Sequence, residues 1–197
     1  MGDLILLRHG ETEWSKAGKH TGRTDIPLTP VGVTAAAALA PLLARRDIVA
    51  AFSSPARRAA RTAELAGLTD VKQDADLWEW DYGGYEGLTT PQIQGQRPGW
   101  YLWRDGVIPG DAAHPGETVQ RVGERVDRVL ARAEPLLADG DVVLVAHGHV
   151  LRVLTARFLQ LDPLDGKLFQ LDTGTISTLG LEHAEPVILS WNVPPAP

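Results

Sequence analysis

Apolar positions along the chain gather into short runs that break off in polar clusters. Residues 4–7 are continuously apolar and lead into RHGETEW; residues 48–52 lead into SSP; residues 142–146 lead into HGH. Runs of this length, bounded by polar turns, predict buried strands. Helical patterns separate them. Thr29 followed by Pro30 is a helix start, with an Ala/Leu-rich body to about Arg46. Pro55 opens a second helix that stops near Gly67. Across residues 117–137, Val119, Val122, Val126, Val129, Leu130 and Ala133 keep one helix face apolar. A further helix follows HGH to about Leu159, and residues 176–181 and 187–189 are strand-like.

Strands alternating with helices predict an α/β fold, a three-layer α/β/α sandwich around a mostly parallel sheet. Ligands of such sheets bind beyond the carboxyl ends of the strands. Three polar clusters are expected there: Arg8-His9-Gly10; Ser53-Ser54-Pro55 leading to Arg57 and Arg58; and His147-Gly148-His149. Residues 76–115 differ in character. They hold Trp78, Trp80, Trp100 and Trp103 with Tyr82, Tyr85 and Tyr101 among many Gly and Pro. This stretch is expected to be an insertion covering the site, with little regular structure beyond a helix around 90–104. Residues 1–197 are expected to form one domain.

Composition removes several classes of function. The net charge of -6 argues against a nucleic-acid partner, although a local basic pocket can still take a small phosphorylated molecule. With no cysteine there is no disulfide, thiolate nucleophile or cysteine-ligated metal. The first apolar run is too short for a signal peptide and meets Arg8 at once, and no stretch is long enough for a membrane span, so a cytoplasmic protein is expected. Met1-Gly2 begins like a myristoylation signal, but Leu6 stands where that signal needs Ser or Thr.

A histidine beside an arginine, in a Gly-containing loop after a strand, suits attack on phosphorus. Arg8 attracts the anionic phosphoryl group, and its charge disfavours the protonated imidazole of His9. LLRHGETEW also resembles the signature of the histidine phosphatase superfamily, which includes cofactor-dependent phosphoglycerate mutases. SSPARRAART, LWEWDYGGYEG and VLVAHGH resemble three further segments of that family in the same order, so the resemblance covers nearly the whole chain.

The resemblance implies that His9 is the nucleophile, Arg8 and Arg58 are phosphate-binding forks, Glu79 is the general acid and base, and His147 donates a further hydrogen bond. Arg57 is the alternative to Arg58, since adjacent helical residues face different ways. Asp81 and Glu86 are the rivals of Glu79, with Glu86 also readable as a structural acid. Thr21, Gly22 and Gly148 match phosphate-contacting positions. Ser15 matches a position where mutases carry asparagine and has a shorter reach. His20 is expected at the rim and His149 at a helix start; His114 and His183 are expected on the surface.

Mutases of the family carry an adjacent basic pair after the general-acid region; here that stretch offers only Arg97 and Arg104. Hydrolysis is therefore favoured over phosphoryl return, with mutase or sugar bisphosphatase activity at the same site as the alternative. The aromatic-rich segment is most similar to bacterial acid phosphatases of the superfamily. Trp78, Trp80, Tyr82 and Tyr85 either shape the leaving-group pocket or fill the core, and Trp100 and Trp103 form a lid wall or a dimer contact. The expected partners are a small phosphorylated substrate and inorganic phosphate as product, with no cofactor. A homodimer is compatible with a sequence that carries no decisive interface signal. Two rivals from other classes are a metal-dependent hydrolase using His9, His147 and His149, and a phosphate-binding protein without turnover. A third keeps the chemistry and takes phosphohistidine in proteins as its substrate.

Overall fold

The computed structural model describes residues 2–195. Six strands form one sheet in the order β3-β2-β4-β1-β5-β6. Strands β1 (Leu4–Arg8), β2 (Ile48–Ser53), β3 (Lys72–Gln73) and β4 (Asp141–Ala146) run parallel, β5 (Ile176–Glu182) pairs antiparallel with β1, and β6 (Glu185–Val193) pairs antiparallel with β5 at the edge. The sheet is thus mixed but mostly parallel.

Side-chain alternation divides the central strands between two cores. Ile5, Leu7, Val143 and Val145 face one way, against Leu39, Leu43, Ala59 and Ala63. These lie on or beside α2 (Pro30–Ala37), α3 (Ala40–Leu43) and α4 (Arg57–Leu65). Leu4, Leu6, Val142 and Leu144 face the other way, against Val122, Val126, Val129, Leu151 and Leu154 of α7 (Val119–Ala133) and α8 (Gly148–Phe158). Every residue of β4 is buried, as a central parallel strand covered on both faces requires. The three-layer arrangement follows directly.

Several helices are shorter than their apolar patterns predict, and prolines explain most of the difference. Thr29 caps α2 through the Gly32 N–H, with Pro30 in the first turn as expected. The helix stops at Ala37 and α3 begins at Ala40. Pro41 lacks an N–H, and its ring would clash with the Ala37 carbonyl in a continuous helix. The helix expected over 90–104 is two pieces, α5 (Thr90–Gln96) and α6 (Leu102–Asp105), interrupted at Pro98 and at Gly99 with φ +75°. Likewise α7 tightens into a 3-10 turn, Glu134–Ala138, at Pro135. A last short helix, α1 (Glu13–Lys16), follows the RHGE loop with Thr12 as its cap. In the β5–β6 hairpin the turn residues His183 and Ala184 both have positive φ, the geometry that matches right-handed strand twist.

This topology determines where the site lies. In register, Arg8 sits beside Ala146 and Ser53 beside Val145. The polar clusters after β1, β2 and β4 therefore emerge side by side at one edge of the sheet.

Candidate active site

A cavity of about 340 Å³ opens at this edge. Arg8, His9, Ser15, Thr21, Glu79 and Gly148 line it, while Arg58 and His147 are fully buried, outside its lining. Of the expected site residues, only Arg58, His147 and Gly22 do not line the cavity, and these three lie in the layer of contacts behind it. The Gly22 N–H is taken up by both oxygens of Glu86, at 2.9 Å each.

His9 follows β1 directly, its backbone N–H bonded to the Ala146 carbonyl at 3.0 Å. Gly10 comes next because α2 packs against it: a Cβ there would overlap the Gly32 carbonyl. The His9 Nδ1 lies 2.7 Å from the Gly10 carbonyl, so Nδ1 carries the proton and Nε2 holds the lone pair. Burial, reinforced by Arg58 and Arg8, pushes the imidazole well below its ordinary pKa. His9 is therefore neutral at neutral pH and stays so into mild acid.

His147, with its ring centroid 5.1 Å from that of His9, is the N-cap residue of α8. Arg58 donates from Nε to its Nδ1 at 3.1 Å, so the proton is on Nε2, which donates to Ser54 Oγ at 2.8 Å. Burial first, and then Arg58, lowers its pKa well below the usual range. The other Arg58 nitrogens donate to the carbonyls of Thr24, Gly22 and Thr21. Arg58 thus ties together the loop after α1, α4 and His147. Direct donation to a phosphate from Arg58 or His147 requires these bonds to be exchanged. Arg57, by contrast, is exposed and uses its backbone N–H to bond Asp25.

Arg8 is held by the Leu171 carbonyl through Nη1, and its buried Nε has no hydrogen-bond partner among the described residues. A Cβ on Gly148 would stand 3.1 Å from the guanidinium carbon, so glycine lets Arg8 lie against the start of α8. Burial lowers the Arg8 pKa, but an arginine remains charged.

Glu79 is buried at the same helix end. Its Oε1 accepts from Trp80 N at 2.9 Å and Val150 N at 2.8 Å, and its Oε2 from His149 N at 3.0 Å. Oε2 therefore has the greater lone-pair capacity to spare. Tyr82, whose hydroxyl is pushed well above its ordinary pKa by burial and by Glu79, donates to His149 Nδ1 at 2.6 Å. His20 gives its Nδ1 proton to the Leu88 carbonyl at 2.9 Å and packs edge-on against Tyr82.

Glu86 also accepts from Thr24 N at 3.1 Å, and so acts as a structural acid. Asp81 is buried and accepts from Gly83 N. Ser15 Oγ is engaged with the backbone of Thr12 in a capping box, and Thr21 Oγ1 donates to the Lys19 carbonyl. Trp80 and Tyr85 are core residues, whereas Tyr82, Trp100 and Trp103 line the cavity from buried positions. Among the described residues there is no cluster of three or more His, Asp or Glu side chains able to hold a metal, and no helix long and apolar enough to cross a membrane.

Two positively charged residues of the cavity wall were not anticipated from sequence, Lys19 and Arg152. A signal for Arg152 exists: on α8 it lies four residues after Gly148 and three after His149, hence on the same helix face.

A neutral histidine and buried arginines at the carboxyl ends of parallel strands define a centre suited to phosphoryl chemistry. Residues 4–194 match the model of the histidine phosphatase superfamily, branch 1, and the chain belongs to that superfamily. It is 42% identical over 182 residues to an acid phosphatase of Mycobacterium tuberculosis, covering 91% of this chain and 87% of that protein. It is 37% identical over 178 residues to a glucosyl-3-phosphoglycerate phosphatase of the same species, covering 80% and 75%. A solved structure of a Mycobacterium tuberculosis open reading frame superposes with a TM-score of 0.91 at 39% identity, covering 99% of both chains.

Proposed function

We propose that the chain hydrolyses phosphate monoesters through a phosphohistidine on His9. The observation that carries this reading is the neutral His9, with its proton on Nδ1, in one cavity wall with Arg8 and Glu79. Nε2 attacks phosphorus; the N–P bond forms as the ester P–O bond breaks, and Glu79 delivers a proton to the departing alkoxide. Glu79 then takes a proton from water, whose oxygen displaces Nε2 and releases inorganic phosphate. Arg8 offers its unpaired Nε–H to a phosphoryl oxygen, and the charge of Arg58 stabilises the transferring group while its bonds orient His147. The relatives named as phosphatases support hydrolysis. The lack of an adjacent basic pair after Glu79 favours hydrolysis over phosphoryl return. We read residues 1–197 as one domain in which the 76–115 segment walls the site.

Labelling with a phosphate-labelled ester in the presence of chelator, quenched in alkaline detergent, tests this reading. Wild type is expected to retain base-stable, acid-labile label and release phosphate, and His9→Ala to do neither. Turnover surviving in His9→Ala, or abolished in wild type by the chelator, overturns it.

A further inference from the structure

Two residues of α4 bear on the site. Arg58 and Thr62 are four apart, hence neighbours on one face of the helix, and both are fully buried. Arg58 reaches His147 and the loop after α1. Thr62 instead reaches the loop that follows β1. Its hydroxyl donates to the Arg58 carbonyl at 2.7 Å, which commits its single proton. The same oxygen accepts the Gly10 N–H at 3.1 Å, from a residue 52 positions away. A threonine in a helix divides between two rotamers, and the bond to the Arg58 carbonyl selects one of them. Such a back-bond does not strengthen a helix, and alanine would serve α4 better. The hydroxyl is explained by the tertiary bond it makes.

The peptide joining His9 to Gly10 is thereby held at both ends. Its N–H is on Thr62, and its carbonyl accepts from Gly174 N at 3.0 Å. The next carbonyl, that of Gly10, is the acceptor that keeps the proton on His9 Nδ1. Among the described residues no backbone N–H reaches it, so its direction depends on how Gly10 itself is anchored. Glycine has the widest backbone freedom of any residue and needs such an anchor. Gly32 supplies the packing and Thr62 the hydrogen bond.

We propose that Thr62 is a positioning residue for the nucleophile: its hydroxyl fixes Gly10, and Gly10 fixes the tautomer and direction of the His9 ring. The proposal rests on the phosphohistidine reading and deepens it. Removing the oxygen leaves the Gly10 N–H buried without a partner. The peptide then turns to find one, the Gly10 carbonyl leaves Nδ1, and the proton is shared between the two ring nitrogens. A protonated Nε2 has no lone pair with which to attack phosphorus. Thr62 does not line the cavity, so the loss falls on the rate of the chemical step and not on substrate binding.

The test compares wild type with Thr62→Val, which keeps the shape and removes the oxygen, and Thr62→Ser, which keeps the oxygen. Proton–nitrogen correlation spectra of protein with isotope-labelled histidine, at neutral pH, report the His9 tautomer, and His9→Ala assigns the signal. The single-turnover rate of nitrophenol release from p-nitrophenyl phosphate is measured on the same samples. That leaving group makes little demand on Glu79, so the rate reports on the nucleophile. Wild type is expected to show the Nδ1–H form alone. Thr62→Val is expected to show a mixture, with a saturated rate lower by about 10- to 100-fold and half-saturation within about twofold of wild type. Thr62→Ser is expected to stay within about threefold of wild type, because its more mobile hydroxyl still offers the acceptor. A threonine that only stabilises the fold would lower the melting point of Thr62→Val and leave the tautomer and rate of the folded protein unchanged. That result overturns the proposal, as does an unchanged rate beside a mixed tautomer, or a serine variant no better than valine. Where Thr62→Val does not fold, Thr62→Ala makes the same comparison. A wild type that forms no phosphohistidine, but whose His9 tautomer still answers to Thr62, defeats the phosphohistidine reading and upholds the positioning. One tautomer in all variants overturns the positioning even where turnover proceeds through His9.

Discussion

Replacing Arg125 with methionine should cost far more than its distance from the cavity implies. The side chain is buried on α7 and staples the strand-free segment that carries Glu79. Nε and Nη2 hold the two oxygens of Glu117 at 2.9 and 3.1 Å, and Nη1 holds the carbonyls of Asp76 and Trp78 at 2.7 and 2.5 Å. Glu117 in turn accepts from Asp81 N at 2.9 Å, and its carbonyl from Trp80 Nε1 at 2.9 Å. Glu79 is thus bracketed by groups that depend on one guanidinium. Methionine fills similar volume but strands a largely buried carboxylate and two carbonyls, a loss of about 3 kcal/mol by analogy with other broken buried pairs. For a chain of this length that corresponds to a Tm lower by roughly 6–12 °C. Arg125→Met/Glu117→Met should recover part of this loss, because no charge is left unpaired. Activity at 25 °C should fall by about tenfold or more, chiefly in kcat, because the proton donor is less well positioned. The checks are thermal melts of wild type, both single variants and the double, with kinetics on an ester of poor leaving group. A melting point for Arg125→Met within 2 °C of wild type, by that scale under about 1 kcal/mol, would refute the reasoning.

Two further outcomes follow from the same contacts. His9 and His147 have pKa values well below the unfolded value of 6.5, so below that pH the unfolded chain binds protons that the folded chain refuses. Their neutral forms impose no penalty above pH 6.5, and stability is lost as the pH falls below it. The slope approaches about 1.4 kcal/mol per pH unit per histidine well below pH 6.5, and over the first unit below it the pair loses roughly 2 kcal/mol. Urea midpoints measured from pH 7.5 to 5.5 should drop accordingly, and a flat profile would contradict the burial of these neutral rings. Gly10→Ala should destabilise the fold by about 2 kcal/mol, because its Cβ would meet the backbone carbonyl of Gly32, which cannot rotate away. A thermal melt indistinguishable from wild type would show that α2 can shift to make room.

Much of the architecture was legible in the chain because its causes are local. The apolar runs of β1 and β4 encode burial on both faces, whereas the equally apolar β2 leaves Val49 exposed and is buried only toward its end, and Thr29-Pro30 encodes a helix start in two residues. Even the breaks at Pro41, Pro98 and Pro135 are local, and the longer expected helices arose from weighting apolar periodicity above proline. The two-residue strand β3 and the His183-Ala184 turn were not legible. Lys72 and Gln73 become a strand only because β2 offers an open edge, and His and Ala carry little intrinsic preference for positive φ.

The site divides in the same way. Residue identity and order set the chemistry available: a histidine beside an arginine after the first strand, a second histidine after the fourth, and a carboxylate between them, with no thiol. Tertiary structure alone decided how those groups are used. Burial and two neighbouring arginines make His9 neutral, and its bond to Gly10 selects the nitrogen that carries the lone pair. The same packing commits Arg58 to three carbonyls and His147, lays Glu79 on the first N–H groups of α8, and leaves Arg152 without a carboxylate partner among the described residues. Protonation, tautomer and free hydrogen-bonding capacity depend on desolvation and on partners distant in sequence, and these exist only once the chain has folded.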